Sequence, residues 1–222
     1  MQGVLDRVWP LHGIRLTTAD LDLRVMTEAD LPEVCDVLPP DLELNPHATT
    51  YAGLDVPANR RAVVVQGYWR ALGMWSHDDW ALPFVVRRAG RIIGGQWLEG
   101  PDYRADRTVD SSSWLVHEVR GRGLGRQMRA AVLELAFGHL GARAAISSAV
   151  VDNAASLGVS YRLGYRDTHT SVLEHSGERL QHVRLERSAW RRAGHGRDVT
   201  VEGVEVALPL FGPLTLTKEE PS

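Results

Sequence analysis

The stretch that most restricts the architecture of this 222-residue chain is VHEVRGRGLGRQM at 116–128, in which Gly121, Gly123 and Gly125 alternate with Arg120, Arg122, Leu124 and Arg126. A β-rich run precedes it. After it, Leu124, Met128, Ala131, Val132, Leu135 and Ala136 recur at the spacing of one helix face. The chain must therefore pass from a strand through a glycine turn into a helix N-terminus. Glycine lets the backbone approach a ligand closely, and the first N–H groups of a helix have no intrahelical acceptor. Such a turn favours an anion. The guanidinium groups of Arg120, Arg122 and Arg126 make a pyrophosphate a better match than a single carboxylate. The same string also reads as a tight, solvated turn.

Two common phosphate motifs do not fit. A P-loop needs Lys followed by Ser or Thr after its last glycine, and the string contains no lysine. A dinucleotide fingerprint opens the first βα unit of a parallel sheet, whereas this one follows three runs expected to be antiparallel strands. The remaining candidate pyrophosphate is that of coenzyme A.

The rest of the chain supplies a mixed framework. Leu21, Leu23 and Val25 alternate as in a strand, Thr27 with Asp30 forms a capping pair, and Leu31, Val34, Cys35 and Leu38 follow at helical spacing until Pro39 and Pro40. Residues 41–57 read as a long loop, and Asn59 is the expected cap of a second helix. LPFVVRR and RIIGGQWLEG form a hairpin about Ala89-Gly90, a further strand is expected over 108–116, and ARAAISSAVV follows the central helix as a strand. NAASLGVSYRLGY is a short helix closed at Gly164, and two strands flank HSGER. The expectation is an α/β (α+β) fold with a mixed, mostly antiparallel central sheet flanked by helices. Residues 1–20 are expected as an N-terminal extension, 21–190 as the main domain and 191–222 as a C-terminal extension packed on it.

These motifs together resemble the GNAT superfamily of N-acetyltransferases. Arg120-Gly121-Arg122-Gly123-Leu124-Gly125 is similar to the family's acyl-CoA loop, and Asn153-Ala154-Ala155-Ser156 with Leu163-Gly164-Tyr165 is similar to the NxxS…LGF signature of its RimJ/RimL-like branch. SWLVHEVRGRG resembles that branch's strand-to-loop junction. The resemblance implies an acetyl-CoA-dependent N-acetyltransferase that moves an acetyl group directly to a primary amine through a tetrahedral intermediate. It also implies acetyl-CoA as co-substrate, no metal, and an oxyanion site at a backbone N–H of Leu115 or Val116. Asn153 and Ser156 become further contacts to CoA, and Ser156 the acid that protonates the departing thiolate. Ser160 stands where many members carry a tyrosine for that role. Asp110 is the first choice for the base and Glu99 the second, with His117 a neighbour of the loop able to titrate. Each has a plainer reading, as a solvated charge or, for Ser156, a helix-terminal serine satisfying local backbone.

Trp75, Trp80, Trp97 and Trp114 fall where relatives build the acceptor cleft, and either wall that cleft or pack the core. The acceptor is a protein N-terminus or a small-molecule amine, and a non-catalytic acyl-CoA sensor or scaffold is the alternative from another class. With 25 basic against 28 acidic residues the chain has no global positive field to hold nucleic acid. No window is apolar enough to span a membrane, and a single cysteine, Cys35, fits a reducing cytoplasm. A homodimer is the expected assembly.

Overall fold

Among the described residues, nine strands form one sheet in the order β7-β8-β6-β5-β4-β3-β2-β1-β9, and every neighbouring pair but β5–β6 is antiparallel. The computed structural model describes residues 8–42, 48–174 and 176–212. Parts of the expected extensions (1–7 and 213–222) and of the long loop (43–47) lie outside the described residues, as does His175 of HSGER. The strands are β1 (Arg15–Thr17), β2 (Asp22–Val25), β3 (Trp80–Arg88), β4 (Arg91–Gly100), β5 (Thr108–Leu115), β6 (Ala144–Val150), β7 (Arg166–Val172), β8 (Arg179–Glu186) and β9 (Thr200–Glu202). The helices are α1 (Leu31–Asp36), α2 (Val56–Gly73), the one-turn α3 (Tyr103–Asp106), α4 (Leu124–Glu134), α5 (Ala154–Arg162) and α6 (Arg187–Ala193).

The β3–β4 hairpin turns where Ala89 and Gly90 both take positive φ, 48° and 81°. That matches the twist of a type I′ turn. Farther along, the register slips between Val86 and Arg87, so Ile93 bulges from β4 beside the strand that carries the glycine loop. The bulge has a use: Ile93 O accepts from the N–H of Val116 at 2.9 Å.

Helices α1 and α2 cover one face of the sheet, where Met26, Leu31, Val34, Tyr68, Val85 and Ile92 form a compact cluster. Thr27 N–H donates to Asp30 Oδ2 at 2.9 Å, closing the expected capping pair. For α2 the cap is Asp55, not Asn59: Asp55 Oδ1 accepts from the Ala58 N–H at 2.7 Å. Asn59 instead ties down the preceding loop through Tyr51 and Leu54.

The opposite face carries α4 and α5. Leu124, Met128, Ala131, Val132, Leu135 and Ala136 are all buried, as their spacing requires. A buried Leu, Met or Val side chain contributes about 2 kcal/mol, so this stripe fixes α4 firmly against β1, β4 and β5. The helix then widens into a π-helical turn over Leu135–His139 before Gly141 ends it with φ 75°.

Both expected extensions join the sheet. β1 pairs with β2 on one side and β9 on the other. Trp9 and Phe211 meet Trp75 at 5.9 and 5.2 Å between ring centroids, Trp75 stacks on Trp80 at 5.8 Å, and Trp80 meets Tyr103 at 5.1 Å. The Trp75 indole N–H donates to Leu210 O at 2.9 Å, so this aromatic knot holds the two ends of the described chain together.

Candidate active site at the fork of β5 and β6

The parallel pair β5–β6 is short. Its register runs Thr108–Ala144, Val109–Ala145 and Asp110–Ile146 and then stops. Beyond that row the Ser147 hydroxyl donates to Ser111 O at 3.2 Å, so a side chain occupies the place of the next backbone rung. The strands part from there. Successive N–H groups of a strand point to opposite edges. With the Val116 N–H taken by Ile93 O, that of Leu115 faces the fork.

At the mouth of the fork lies the glycine loop. Gly121 and Gly123 have φ of 73° and 79°, and an added Cβ at either would meet nothing within 4 Å. Gly123 occupies the cap position of α4 and no side chain caps that helix. Among the described residues, the N–H groups of Gly121, Arg122, Gly123, Leu124 and Gly125 have no acceptor. At Gly125 an added Cβ would make ordinary contact with Val159 of α5 at 3.5 Å. Together these are an open cradle of donors, the arrangement a pyrophosphate requires. The residues present fit the nucleotide end of an acyl-CoA.

Arg120 does not point into that cradle. Its guanidinium donates to Asp41 through two bonds of 2.6 and 3.0 Å and to Leu115 O at 2.9 Å, while His117 Nε2 lies 2.8 Å from the same Asp41. Arg120 and His117 thereby hold the Asp41 carboxyl well below the usual range. Arg120, expected as a phosphate ligand, is held here as a strut between the loop and the segment after α1. Arg122 and Arg126 are exposed beside the cradle.

Glu99 and Asp110 stand directly opposite each other on β4 and β5, on the sheet face covered elsewhere by α1 and α2. Directly opposed Cβ atoms lie about 5 Å apart. Burial, the Asp110 charge and the Asp79 charge push Glu99 up to about 7. Burial raises Asp110 as well, although the Ser111 N–H donates to its Oδ1 at 2.6 Å and Arg129 and His182 attract the charged form. Glu99, pushed up to about 7 at the edge of the fork, can accept a proton near neutral pH, with Asp110 raised beside it.

Trp97 and Trp114 share this face, Trp97 opposite Ser112 and Trp114 opposite Gly95. Gly95 must be glycine for Trp114 to lie there, because a Cβ would fall 2.7 Å from its indole nitrogen. Trp80, opposite Gly100 and one residue out of phase with Glu99, points to the other face. Trp75 and Trp80, expected as cleft walls, belong to the aromatic knot.

Asn153 caps α5, its Oδ1 accepting from the Ser156 N–H at 3.0 Å. The Ser156 hydroxyl, half-buried in the first turn, has no hydrogen-bond partner among the described residues. Ser160 is buried at 2% exposure and accepts from Arg129 Nη1 at 2.9 Å. The sequence reading missed Arg129, Ser147 and Asp41. An arginine beside the apolar stripe of α4 was the available signal for the first; nothing local signalled the other two.

Comparison with known proteins agrees with this fold. A family described as an acetyltransferase (GNAT) domain matches residues 20–166. Mycobacterium smegmatis RimJ, solved in complex with CoA-disulfide, is 15% identical at a TM-score of 0.64, over 84% of this chain and 94% of that one. Ribosomal-protein-S5-alanine acetyltransferase from Vibrio fischeri is 14% identical at 0.61, over 79% and 98%. A chimera of Vibrio cholerae spermidine N-acetyltransferase SpeG is 18% identical at 0.60, over 78% and 99%. At these identities the structures establish a shared fold.

Proposed function

The chain belongs to the GNAT acetyltransferase family, and we propose that it transfers an acetyl group from acetyl-CoA to a primary amine at the fork of β5 and β6. The observation that carries this reading is the placement of the Glu99–Asp110 pair beside a fork whose mouth is a cradle of unengaged amides. Bound acetyl-CoA supplies the thioester that the amine attacks. The amides of residues 121–125, with Arg122 and Arg126, hold its pyrophosphate.

The chain's own groups then divide the work. Glu99, ionised above about pH 7, takes a proton from the incoming ammonium, with Asp110 beside it. Both lie in a partly dehydrated place where a cationic amine is attracted. The Leu115 N–H, facing the fork, donates to the acetyl oxygen as negative charge develops on it. Ser156 carries the unengaged hydroxyl of α5 and relays to the departing sulfur a proton that it regains from the nitrogen of the collapsing tetrahedral adduct. No side chain needs to be acylated.

An α-amine, which titrates near pH 8, gives up its proton to such a base more readily than a lysine-type amine near 10.4. A protein N-terminus is accordingly the preferred acceptor over a polyamine. The test is free-thiol release from acetyl-CoA across an amine panel that includes an alanine-initiated peptide and spermidine. Release with the peptide supports the proposal. Tight CoA binding without release on any amine would instead favour a sensor or scaffold of the same fold.

A further inference from the structure

Arg129 is 3% exposed, and no carboxylate among the described residues lies within ion-pair distance of it. Removing an isolated cation from water is costly, so its retention in the centre of α4 requires an explanation. Its hydrogen bonds supply one. Arg129 Nη1 donates to Ser160 Oγ at 2.9 Å and reaches Ser147 Oγ at 3.4 Å. From Ser160 the hydroxyl donates to Ser156 O at 3.3 Å, and from Ser147 to Ser111 O at 3.2 Å. The Ser111 N–H in turn donates to Asp110 Oδ1 at 2.6 Å.

We propose that Arg129 is a positioning residue that sets the spacing between the two sides of the fork: one arm, through Ser160, holds the α5 turn bearing Ser156, and the other, through Ser147 and Ser111, holds the strand end bearing Asp110. This rests on the functional reading above for the roles of Ser156 and Asp110. Neither arm consists of apolar packing. The connection between α5 and β5 runs through hydroxyls that a single guanidinium orients, and each hydroxyl passes its own proton on to a carbonyl. Arg129 thus touches neither the amine nor the acyl group, and acts by fixing the distance between the groups that do.

A second consequence is electrostatic. The charged groups that act on Asp110 are Arg129 on α4 and His182 on β8, while Asp110 and Asp79 act on Glu99 of β4. Burial and the charge of the stacked His169 ring at 4.2 Å lower the His182 pKa, and Arg129 is the cation that does not titrate. Loss of its charge should raise the midpoint at which the Glu99–Asp110 pair ionises.

The experiment compares Arg129→Lys, Arg129→Met, Ser147→Ala and Ser160→Ala. Arg129→Met should lower kcat by about a hundredfold with acetyl-CoA KM within about threefold, and move the acidic limb of the pH–rate profile upward by about half a unit to one unit. Arg129→Lys should keep the limb in place while losing part of kcat, because it keeps the charge but not the two-armed geometry. Each serine variant should lower kcat on its own, and neither should add to the loss in an Arg129→Met background. A carboxyl NMR titration of the Glu99–Asp110 pair in Arg129→Met reads the electrostatic part without any turnover. An unmoved titration midpoint, or a kcat loss that merely follows the folded fraction, would overturn the inference. Should the serine variants fold normally and leave kcat unchanged, the spacing role would fall. A normal midpoint shift in a chain that acetylates no amine would instead remove the functional reading and leave the charge effect standing.

Discussion

Replacing Glu99 by Gln should make the protein more stable and less active, by amounts that follow from where the carboxyl sits. Glu99 is displaced from its usual 4.5 to about 7 by burial and by the neighbouring Asp110 and Asp79 charges. At about 1.4 kcal/mol per pH unit, that displacement corresponds to about 3 kcal/mol. The sign is set by proton uptake. Below the unfolded value the group is protonated in both states and contributes nothing to the balance. Between 4.5 and about 7 the folded chain holds a proton that the unfolded chain has released, so stability falls as pH rises through that window and stays low above it. Glutamine cannot titrate and keeps a similar shape. Urea unfolding at pH 5 and pH 8 should therefore show wild type losing up to about 3 kcal/mol more than Glu99→Gln between the two conditions, while turnover of the variant drops by about a hundredfold. Parallel pH dependences in the two proteins would mean that Glu99 is an ordinary hydrated carboxylate and would remove it as the base.

Gly123→Ala should strain a residue at φ 79° by about 1 kcal/mol, with no steric clash, and raise the acetyl-CoA KM by about tenfold because the N–H donors shift; saturation kinetics beside a thermal melt reads both. Asp41→Asn removes a negative charge beside the loop and releases Arg120; CoA binding measured by calorimetry should tighten severalfold, more so at low salt, and weakened binding would show that the strut itself shapes the cradle. Trp75→Ala should cost about 3 kcal/mol by opening the aromatic knot, seen in urea unfolding, with amine KM unchanged. A raised amine KM would return Trp75 to the acceptor cleft.

The glycine loop and the stripe of α4 were legible because they are local: alternating glycines before a helical repeat permit few backbone paths, and the structure follows that path from Gly121 to Leu135. Thr27 and Asp30 were legible for the same reason. What escaped was set by partners far away in sequence. β1 is a three-residue strand whose pattern carries no signal of its own, and it exists because β2 and β9 flank it. The Arg120–Asp41 pair carries no local signal because the two residues lie 79 positions apart. Trp80 and Trp97 look alike in the sequence, and only the register of β3 on β4 sends them to opposite faces. Asp55 displaced Asn59 as the cap of α2 because Pro57 in the first turn lets the helix begin earlier.

Because Trp9, Trp75 and Phe211 interlock, the segments around residues 9 and 211 are held to one another by contacts that span nearly the whole chain. Long-range closure of this kind comes late in folding and opens early in native-state fluctuation. Exchange of the β1 and β9 amides should therefore run ahead of, and independently from, that of the fork, and a bulky fusion at either end should loosen both without disturbing the chemistry.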